Sequence, residues 1–323
     1  MSHSKRLAFL RQYDHYLITT HLNTDGDAIA SVLAASVFLD KLGKSWRIVV
    51  HDQHIDPRYA FLKNFSAITS LKDFKNKQPF DAALILDAPG RKRIGDISDL
   101  ITDDMPAMKI DHHPGEDDFS DLDFVEVDVS SAASLLFEII EESGIALDKE
   151  LAEALYTGIV YDTGRLSYSN THTRDLEACA RLMKYGVEPA VITRNVFLNH
   201  RPEALRVIGR GLQSVQRHLN DKVTVIALHN NELDGVEQNE IEELANYTVS
   251  VNGTEVGAYI REVEPGFFKI SLRSRDRVNV REIARTFNGG GHFHASGCRY
   301  SGTYDTLLSR LLNEISKQLQ KLS

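Results

Sequence analysis

Between an apolar, β-branched run, His15 to Thr20, and an apolar helical pattern, Ile29 to Leu42, the chain reads His21-Leu-Asn-Thr-Asp-Gly-Asp-Ala28. A strand that hands over directly to a helix is the repeating step of an open α/β sheet. The turns between them lie at the carboxyl edge, where such folds bind ligands. Into this turn the chain places one imidazole and two carboxylates, His21, Asp25 and Asp27. Gly26 between the acids is expected to let the backbone turn tightly. Two acids two residues apart repel unless a cation compensates them, and mixed nitrogen and oxygen donors suit Mn, Fe, Co or Zn better than Ca. Taken alone, the stretch is equally well read as a strand ending at His21 and a helix capped by Asp27.

The pattern recurs. Phe80 to Leu86 is a short apolar run of the type that forms a parallel strand buried on both faces, and it ends at Asp87. Ala107 to Ile110 reads as another short strand, ending in Asp111-His112-His113-Pro114. An acid after one buried strand is ordinarily a turn residue or a cap. Three junctions carrying acids and imidazoles are a constellation. Adjacent histidines point in different directions, so a division of labour is expected between them. One serves as a ligand and the other as an acid/base or phosphate-contacting group, with Asp111 fixing an imidazole tautomer from behind. Asp162 ends the helical pattern Lys149 to Thr163, where the helix dipole disfavours an acid; that local conflict points to a functional reason.

The length of 323 residues suggests two domains. The expected division is a catalytic domain over 1–186, a helical connector over 187–220 and a substrate-binding domain over 221–323. Strands are expected at Trp46 to Val50, Phe124 to Val127, Lys222 to Leu228, Val256 to Val263 and Phe268 to Arg273. Helices are expected at Phe61 to Ile68, Ser131 to Gly144, Arg174 to Tyr185, Val191 to His200, Pro202 to Leu219, Gln238 to Ala245, Val280 to Phe287 and Tyr304 to Leu322. The first helix, from Ile29, should stop at Gly43. The fold class that follows is α/β: a mostly parallel sheet first, then a smaller α/β domain with a mixed sheet.

Hydrophobic content of 42% and charged content of 26% are those of an ordinary globular chain. No apolar run reaches the length of a membrane span, and the opening residues lack a signal-peptide core. Cys179 and Cys298 form no CxxC pair, so a reduced, cytoplasmic protein is expected. The formal charge of −9 argues against a partner such as long nucleic acid, which needs many phosphate contacts. It leaves room for a short anion held by a few groups and by metal.

His21, Asp25, Asp27, Asp87, His112 and Asp162 are too many donors for one ion. They suit two divalent ions about 3.5–4 Å apart with one carboxylate bridging, a pair able to bind hydroxide and clamp a phosphoryl oxygen. His113 is the candidate proton donor to the leaving oxygen. In the second half, Asn288 to Gly297 contains three consecutive glycines. They are no P-loop, because no Gly-Lys-Ser/Thr follows; they either end a helix or expose backbone N–H groups to an anion. Arg273, Arg275, Arg277 and Arg281 lie nearby in sequence, most of them readable as a solvated basic face, and His294 as incidental.

Together HLNTDGDA, the Asp87 junction, DHHP and YTGIVYDTG resemble the motifs of the DHH phosphoesterases, and GGGHFHASG resembles the hallmark of their associated C-terminal domain. The resemblance spans nearly the whole chain. Its two-lobe form is most similar to bacterial oligoribonucleases that also dephosphorylate 3′-phosphoadenosine 5′-phosphate. It implies that His21, Asp25 and Asp87 hold one metal and Asp27, Asp87, His112 and Asp162 a second, with Asp87 bridging, His113 facing the substrate and Mn²⁺ as the usual ion. It also implies an active site in the cleft between the lobes, where Arg273, Gly290, Gly291 and His292 grip the nucleotide. Thr24 and Ala30 stand where relatives often have Pro and Gly, and neither is a ligand. The residues leave other substrates open: linear or cyclic dinucleotides, pyrophosphate or polyphosphate, or nucleotide binding without turnover. Exposed edges of such lobes often pair, which makes a homodimer an expectation.

Overall fold

A computed structural model describes residues 3–75, 78–115, 117, 119–233 and 235–321; it divides into two compact units, with the boundary in sequence between Asn199 and His200. The first unit runs α1 (His3–Gln12), β1 (His15–Thr19), α2 (Gly26–Lys41), β2 (Ser45–Val50), β3 (Ile68–Ser70), β4 (Ala82–Leu86), β5 (Ala107–Asp111), β6 (Leu122–Val125), α3 (Ala132–Ser143), α4 (Lys149–Asp162), α5 (Thr173–Met183) and α6 (Pro189–Phe197). Its six strands are all parallel, in the order β3-β2-β1-β4-β5-β6. The order reverses direction between β1 and β4. That is the switch point at which the loops leaving the carboxyl edge diverge and open a crevice. The loops after β1, β4 and β5 are the ones that carry His21 to Asp27, Asp87, and Asp111 to His113.

All five residues of β4, Ala82 to Leu86, are buried, which is why this strand reads as continuous apolar sequence rather than as an alternation. α2 is buried from Gly26 through Leu39. A helix that is apolar all round belongs inside a domain, and α2 lies between the sheet and α4. Each fully buried Leu, Ile, Val or Phe there stabilises the unit by about 1.5–3 kcal/mol relative to exposure. Local signals set the helix ends. Ala28 N–H donates to Asp25 Oδ1 (3.1 Å) at the start of α2, Ser134 N–H to Ser131 Oγ (3.1 Å) at α3, and Leu151 N–H to Asp148 Oδ1 (3.0 Å) at α4. Gly144 ends α3 in the left-handed conformation.

The second unit runs α7 (Pro202–Gln213), β7 (Gln216–His218), β8 (Val223–Leu228), α8 (Gln238–Ile241), α9 (Leu244–Ser250), β9 (Val256–Glu264), β10 (Phe267–Ser274), α10 (Val280–Arg285), β11 (Gly290–Gly291), β12 (Ala295–Ser301) and α11 (Tyr304–Lys321). Its sheet has the order β11-β12-β10-β9-β8-β7; β8 and β9 are parallel and the other pairs antiparallel, so the sheet is mixed as expected. One face packs on α10 and α11 through Leu272, Ile283, Leu311 and Ile315. The other packs on α7, α8 and α9 through Tyr259, Ile208, Ile241 and Leu244.

Several elements differ from the sequence reading. The helix expected over Phe61 to Ile68 is only a short 3₁₀ turn, Phe65–Ala67, followed by the edge strand β3. The helix expected through Leu219 stops at Gln213 and gives way to β7, a three-residue polar edge strand whose conformation comes from pairing with β8. The helix expected over Gln238 to Ala245 is two pieces, α8 and α9, the second reaching Ser250. α1, the 3₁₀ segment Arg91–Leu100 and β12 were not foreseen. β12 reads Ala-Ser-Gly-Cys-Arg-Tyr-Ser, weak in intrinsic β preference; its seven-residue ladder with β10 makes it a strand. Leu322, the expected end of the last helix, lies outside the described residues.

Candidate metal centre

The three junctions converge. His21 Nε2 lies 3.7 Å from Asp25 Oδ1 and 3.4 Å from Asp87 Oδ2; His112 Nε2 lies 3.3 Å from Asp87 Oδ1 and 3.1 Å from Asp162 Oδ2. Ligand atoms of His21, Asp25 and Asp87 all fall within 4.8 Å of one another, as do those of Asp27, Asp87 and His112. The two groupings share one carboxylate, Asp87. Asp162 joins through His112, which explains an acid at the end of α4. Its carboxylate is held beside an imidazole instead of facing the helix carbonyls alone.

Asp87 occupies the centre of this arrangement and has φ of 55°. A left-handed backbone is uncommon for a residue with a side chain and persists only where the surroundings over-determine it. Here the surroundings are the end of a fully buried strand and an Asp87 N–H donated to Ile110 O (2.9 Å). Gly26, by contrast, is no turn residue. It is the first residue of α2, and a Cβ there would run into the Tyr161 ring and the Tyr59 hydroxyl. Gly158 on α4 has a similar steric role: a Cβ would come within 2.5 Å of Asp27 Oδ1 and of Ala133 Cβ. Both glycines therefore serve close approach.

Hydrogen bonds behind the cluster aim it. A carbonyl only accepts, so the contact of His21 Nδ1 to Leu22 O (2.9 Å) and that of His112 Nδ1 to Val129 O (3.3 Å) place an N–H on each δ nitrogen. Each Nε2 is left turned toward carboxylate oxygens. Lone pair faces lone pair unless a cation stands between them, either a proton on the imidazole or a metal ion. Asp27 is fully buried and accepts from Ser31 Oγ (3.1 Å), Ala132 N–H (2.7 Å) and Ala133 N–H (3.2 Å), the last two at the positive end of α3.

The buried charges make the same demand for positive charge. Burial works against a charge on His21 and on His112. Asp25 and Asp87 in the first case, and Asp162 and Asp87 in the second, outweigh it and hold both imidazoles well above their ordinary value. Burial likewise opposes the charge on Asp87, but His112, His113 and His21 hold it well below the usual carboxylate range. Burial, then the nearby charges of Asp87 and Asp162, push Asp27 well above that range. With protons alone as counter-charge the acids are unequally satisfied. Two imidazoles and several carboxylates at these spacings fit divalent transition-metal ions, for which nitrogen and oxygen donors are the natural set.

His113 is arranged differently from His112. The two rings are 4.5 Å apart between centroids and inclined by 61°. His113 Nδ1 turns to Asp111 Oδ1 (2.8 Å) and stands 3.3 Å from Asp87 Oδ1. Burial opposes its protonation, yet Asp111 and then Asp87 raise its pKa to about 9. An imidazolium at this position is able to give up a proton or to contact a phosphate.

Three supporting groups escaped the sequence reading. Asp52 receives Asn23 N–H (3.0 Å) and Thr24 N–H (2.6 Å), shaping the loop between His21 and Asp25. Asn170 Nδ2 donates to Asp162 O (3.1 Å) and Ser130 O (3.4 Å), tying the end of α4 to the start of α3. Asp175, fully buried, takes Ser130 Oγ (2.6 Å) and Ser134 Oγ (3.2 Å) and steadies the same helix start. The Asp52 contacts span 28 or more residues and the Ser130 contacts 40 or more, so no local pattern marks these contacts.

The remaining candidate residues lie in the second unit. Arg273 on β10 donates from Nε to Asn246 Oδ1 (3.1 Å) and from Nη1 to Leu272 O (3.0 Å). Gly290 and Gly291 form β11, opposite Gly297 and Ser296 of β12. Gly289 N–H and His292 N–H donate to Ala284 O (2.9 Å) and Ala295 O (2.7 Å). Two amides of the glycine-rich segment are therefore engaged within the protein.

A parallel α/β sheet with a cluster of acids and imidazoles at its switch point defines the framework of a metal-dependent hydrolase. Residues 15–159 match the DHH family, N-terminal domain, and residues 220–321 match the DHHA1 domain. The chain belongs to the DHH family, whose phosphoesterases are metal-dependent. It is 30% identical over 307 residues to the bifunctional oligoribonuclease and PAP phosphatase NrnA of Thermus thermophilus, covering 94% of this chain and 90% of the relative. It is 26% identical over 291 residues to the protein of the same name from Bacillus subtilis, covering 88% and 89%. The crystal structure of an exopolyphosphatase-related protein from Bacteroides fragilis superimposes with a TM-score of 0.89 at 26% identity, covering 98% of this chain and 96% of that one.

Proposed function

We propose that the protein is a two-metal phosphoesterase that hydrolyses short oligoribonucleotides and releases phosphate from 3′-phosphoadenosine 5′-phosphate. The substrate class follows from the names of its relatives; the reaction type is supported by the centre itself. One observation carries the reading: a single buried carboxylate, Asp87, lies both in the grouping with His21 and Asp25 and in the grouping with Asp27 and His112. His21, Asp25 and Asp87 would hold one ion, and Asp27, Asp87, His112 and Asp162 the other. Two imidazoles among the donors favour Mn²⁺ over Mg²⁺, which prefers oxygen. Bound there, divalent ions supply Lewis acidity to a phosphoryl group and an activated water.

The chain's own residues do the rest. Asp111 orients His113 and keeps it protonated, and His113 donates that proton to the leaving oxygen. Leu22 O and Val129 O hold the δ protons of His21 and His112, which leaves each ε nitrogen with the lone pair that would hold a metal ion. In the second unit, Arg273, Gly290, Gly291 and His292 are proposed to hold the nucleotide. Arginine suits this because its fork matches phosphate oxygens. The experiment is a substrate panel on protein stripped of metal and reloaded with Mn²⁺ or Mg²⁺: RNA of increasing length, 3′-phosphoadenosine 5′-phosphate, linear and cyclic di-AMP, and pyrophosphate. The expected result is turnover of short RNA and of the bisphosphate, faster with Mn²⁺. Undiminished hydrolysis in excess chelator after extended dialysis sinks the metal mechanism, and preference for pyrophosphate sinks the substrate assignment.

A further inference from the structure

Immediately after Asp162 the backbone makes a turn of three successive left-handed residues, Gly164, Arg165 and Leu166, with φ of 54°, 61° and 63°. Two of them carry side chains, which makes the turn costly and specific. It is locked from several sides. Arg165 N–H donates to Val160 O (2.7 Å), Leu166 N–H to Thr163 Oγ1 (3.2 Å), and the Leu166 side chain packs on the core. What the turn presents is an exposed arginine. Its guanidinium lies 5.2 Å from the centroid of the Phe197 ring. Phe197 is stacked on Tyr161 (6.2 Å, 19°), and Tyr161 covers Gly26 between Asp25 and Asp27. Among the described residues Arg165 has no ion-pair partner, although it follows a carboxylate cluster in an acidic molecule.

We propose that Arg165, held over Phe197, forms a phosphate subsite of the first unit that takes the substrate phosphate next to the one under attack. The proposal rests on the phosphoesterase reading above. A guanidinium set over an aromatic ring keeps N–H groups for a ligand, because the ring face takes up none of its ordinary hydrogen bonds. Five donors with no acceptor suit two oxygens of one phosphate. The cation–ring contact, with Phe197 itself stacked on Tyr161, limits the side-chain freedom lost on binding. If Arg165 served only to pin Phe197, its loss would lower stability and leave substrate preference alone.

The test compares two substrates that differ by one phosphate, ApA and pApA, with Mn²⁺-loaded full-length protein. Arg165→Gly is the variant of choice, because glycine accepts the left-handed turn without strain. KM for pApA is expected to rise about 10- to 100-fold with kcat little altered, while KM for ApA shifts much less. Arg165→Lys should recover only part of the loss. Arg47→Ala, an exposed arginine on β2, should leave the pApA to ApA ratio as in wild type. A proportional loss on both substrates, or none, overturns the subsite alone, provided that wild type cleaves both. Wild type that cleaves neither dinucleotide overturns the phosphoesterase reading and the subsite with it.

Discussion

The acid and imidazole centre of the first unit and the glycine-rich hairpin of the second were both conspicuous in the sequence, but for opposite physical reasons. In the first unit, charged side chains are buried where only a counter-charge makes them tolerable, so their presence at three strand ends already implies a ligand. In the second, glycines at β11 leave room for the facing strand: a Cβ on Gly289 would strike Gly297 O and Cys298, and one on Gly291 would come within 2.6 Å of Ala295 O. Gly289 and Gly291 thus have a sufficient structural cause without any ligand. Buried charge is the stronger functional signal of the two, and substitutions can test that ranking.

The largest effect is expected at Asp87. As the proposed bridge it serves both ions, so Asp87→Ala should reduce activity to near background. That is a far larger loss than the roughly 10- to 100-fold typical of removing a partner behind a ligand. Asp25→Ala, which touches one grouping, should retain more. Elemental analysis beside the rate assay decides it: equal residual rates with two ions still bound in Asp87→Ala would break the bridging assignment. Next in size is His113. His113→Ala should lower kcat by about 10²–10⁴-fold with metal content intact, and the loss should shrink on a nitrophenyl ester, whose leaving group needs no proton. A penalty independent of the leaving group would make His113 a phosphate contact instead.

The same contrast explains how much was legible beforehand. β1, β4, β5 and the long helices α2, α3 and α4 follow from apolar pattern and caps, because each buries a continuous run or face of apolar residues. The cluster followed from them, since parallel strands must end at a common edge and bring their last residues together. Pairing decided what pattern could not show: β7 and β12 are polar or glycine-rich and exist through their ladders with β8 and β10. Asp52, Asn170 and Asp175 were invisible for a related reason. Each makes a contact with a segment distant in sequence, and such a contact leaves no local signature; Asp175, in the first turn of α5, also accepts His172 N–H (2.7 Å) and so reads as an ordinary helix cap. Gly26 shows the converse error: the residue was marked correctly but for tight turning, whereas the structure needs its missing Cβ beneath Tyr161.

A smaller effect is expected from Arg273. If it holds a substrate phosphate, Arg273→Ala should raise KM for 3′-phosphoadenosine 5′-phosphate by about 10-fold or more, as for loss of a charge-assisted hydrogen bond, leaving kcat nearly intact. Its Nε bond to Asn246 complicates that reading, so Asn246→Ala belongs beside it. A comparable rise in KM from Asn246→Ala would mean that the side chain must be oriented, not merely present. A fall in kcat as large as the rise in KM would move Arg273 into the reaction itself and blur the separation of roles between the units.

The smallest effect on activity separates the two accounts of the hairpin glycines. Gly291 has φ of 133° and no space for a Cβ, so Gly291→Ala should cost about 1–3 kcal/mol of stability whether or not a nucleotide ever approaches. Gly290 is different. It is exposed, its φ is not in the left-handed region, and nothing lies within 4 Å of the position a Cβ would take. Gly290→Ala should therefore leave the melting temperature unchanged. If the strand is glycine only for folding, this variant should be silent in every assay. If its backbone approaches a phosphate closely, as the proposed grip requires, the added methyl stands between them, and KM for nucleotide substrates should rise a few-fold with kcat preserved. A stable Gly290→Ala protein with wild-type KM would remove this residue from the binding site and leave Arg273 and His292 to carry the second unit's part.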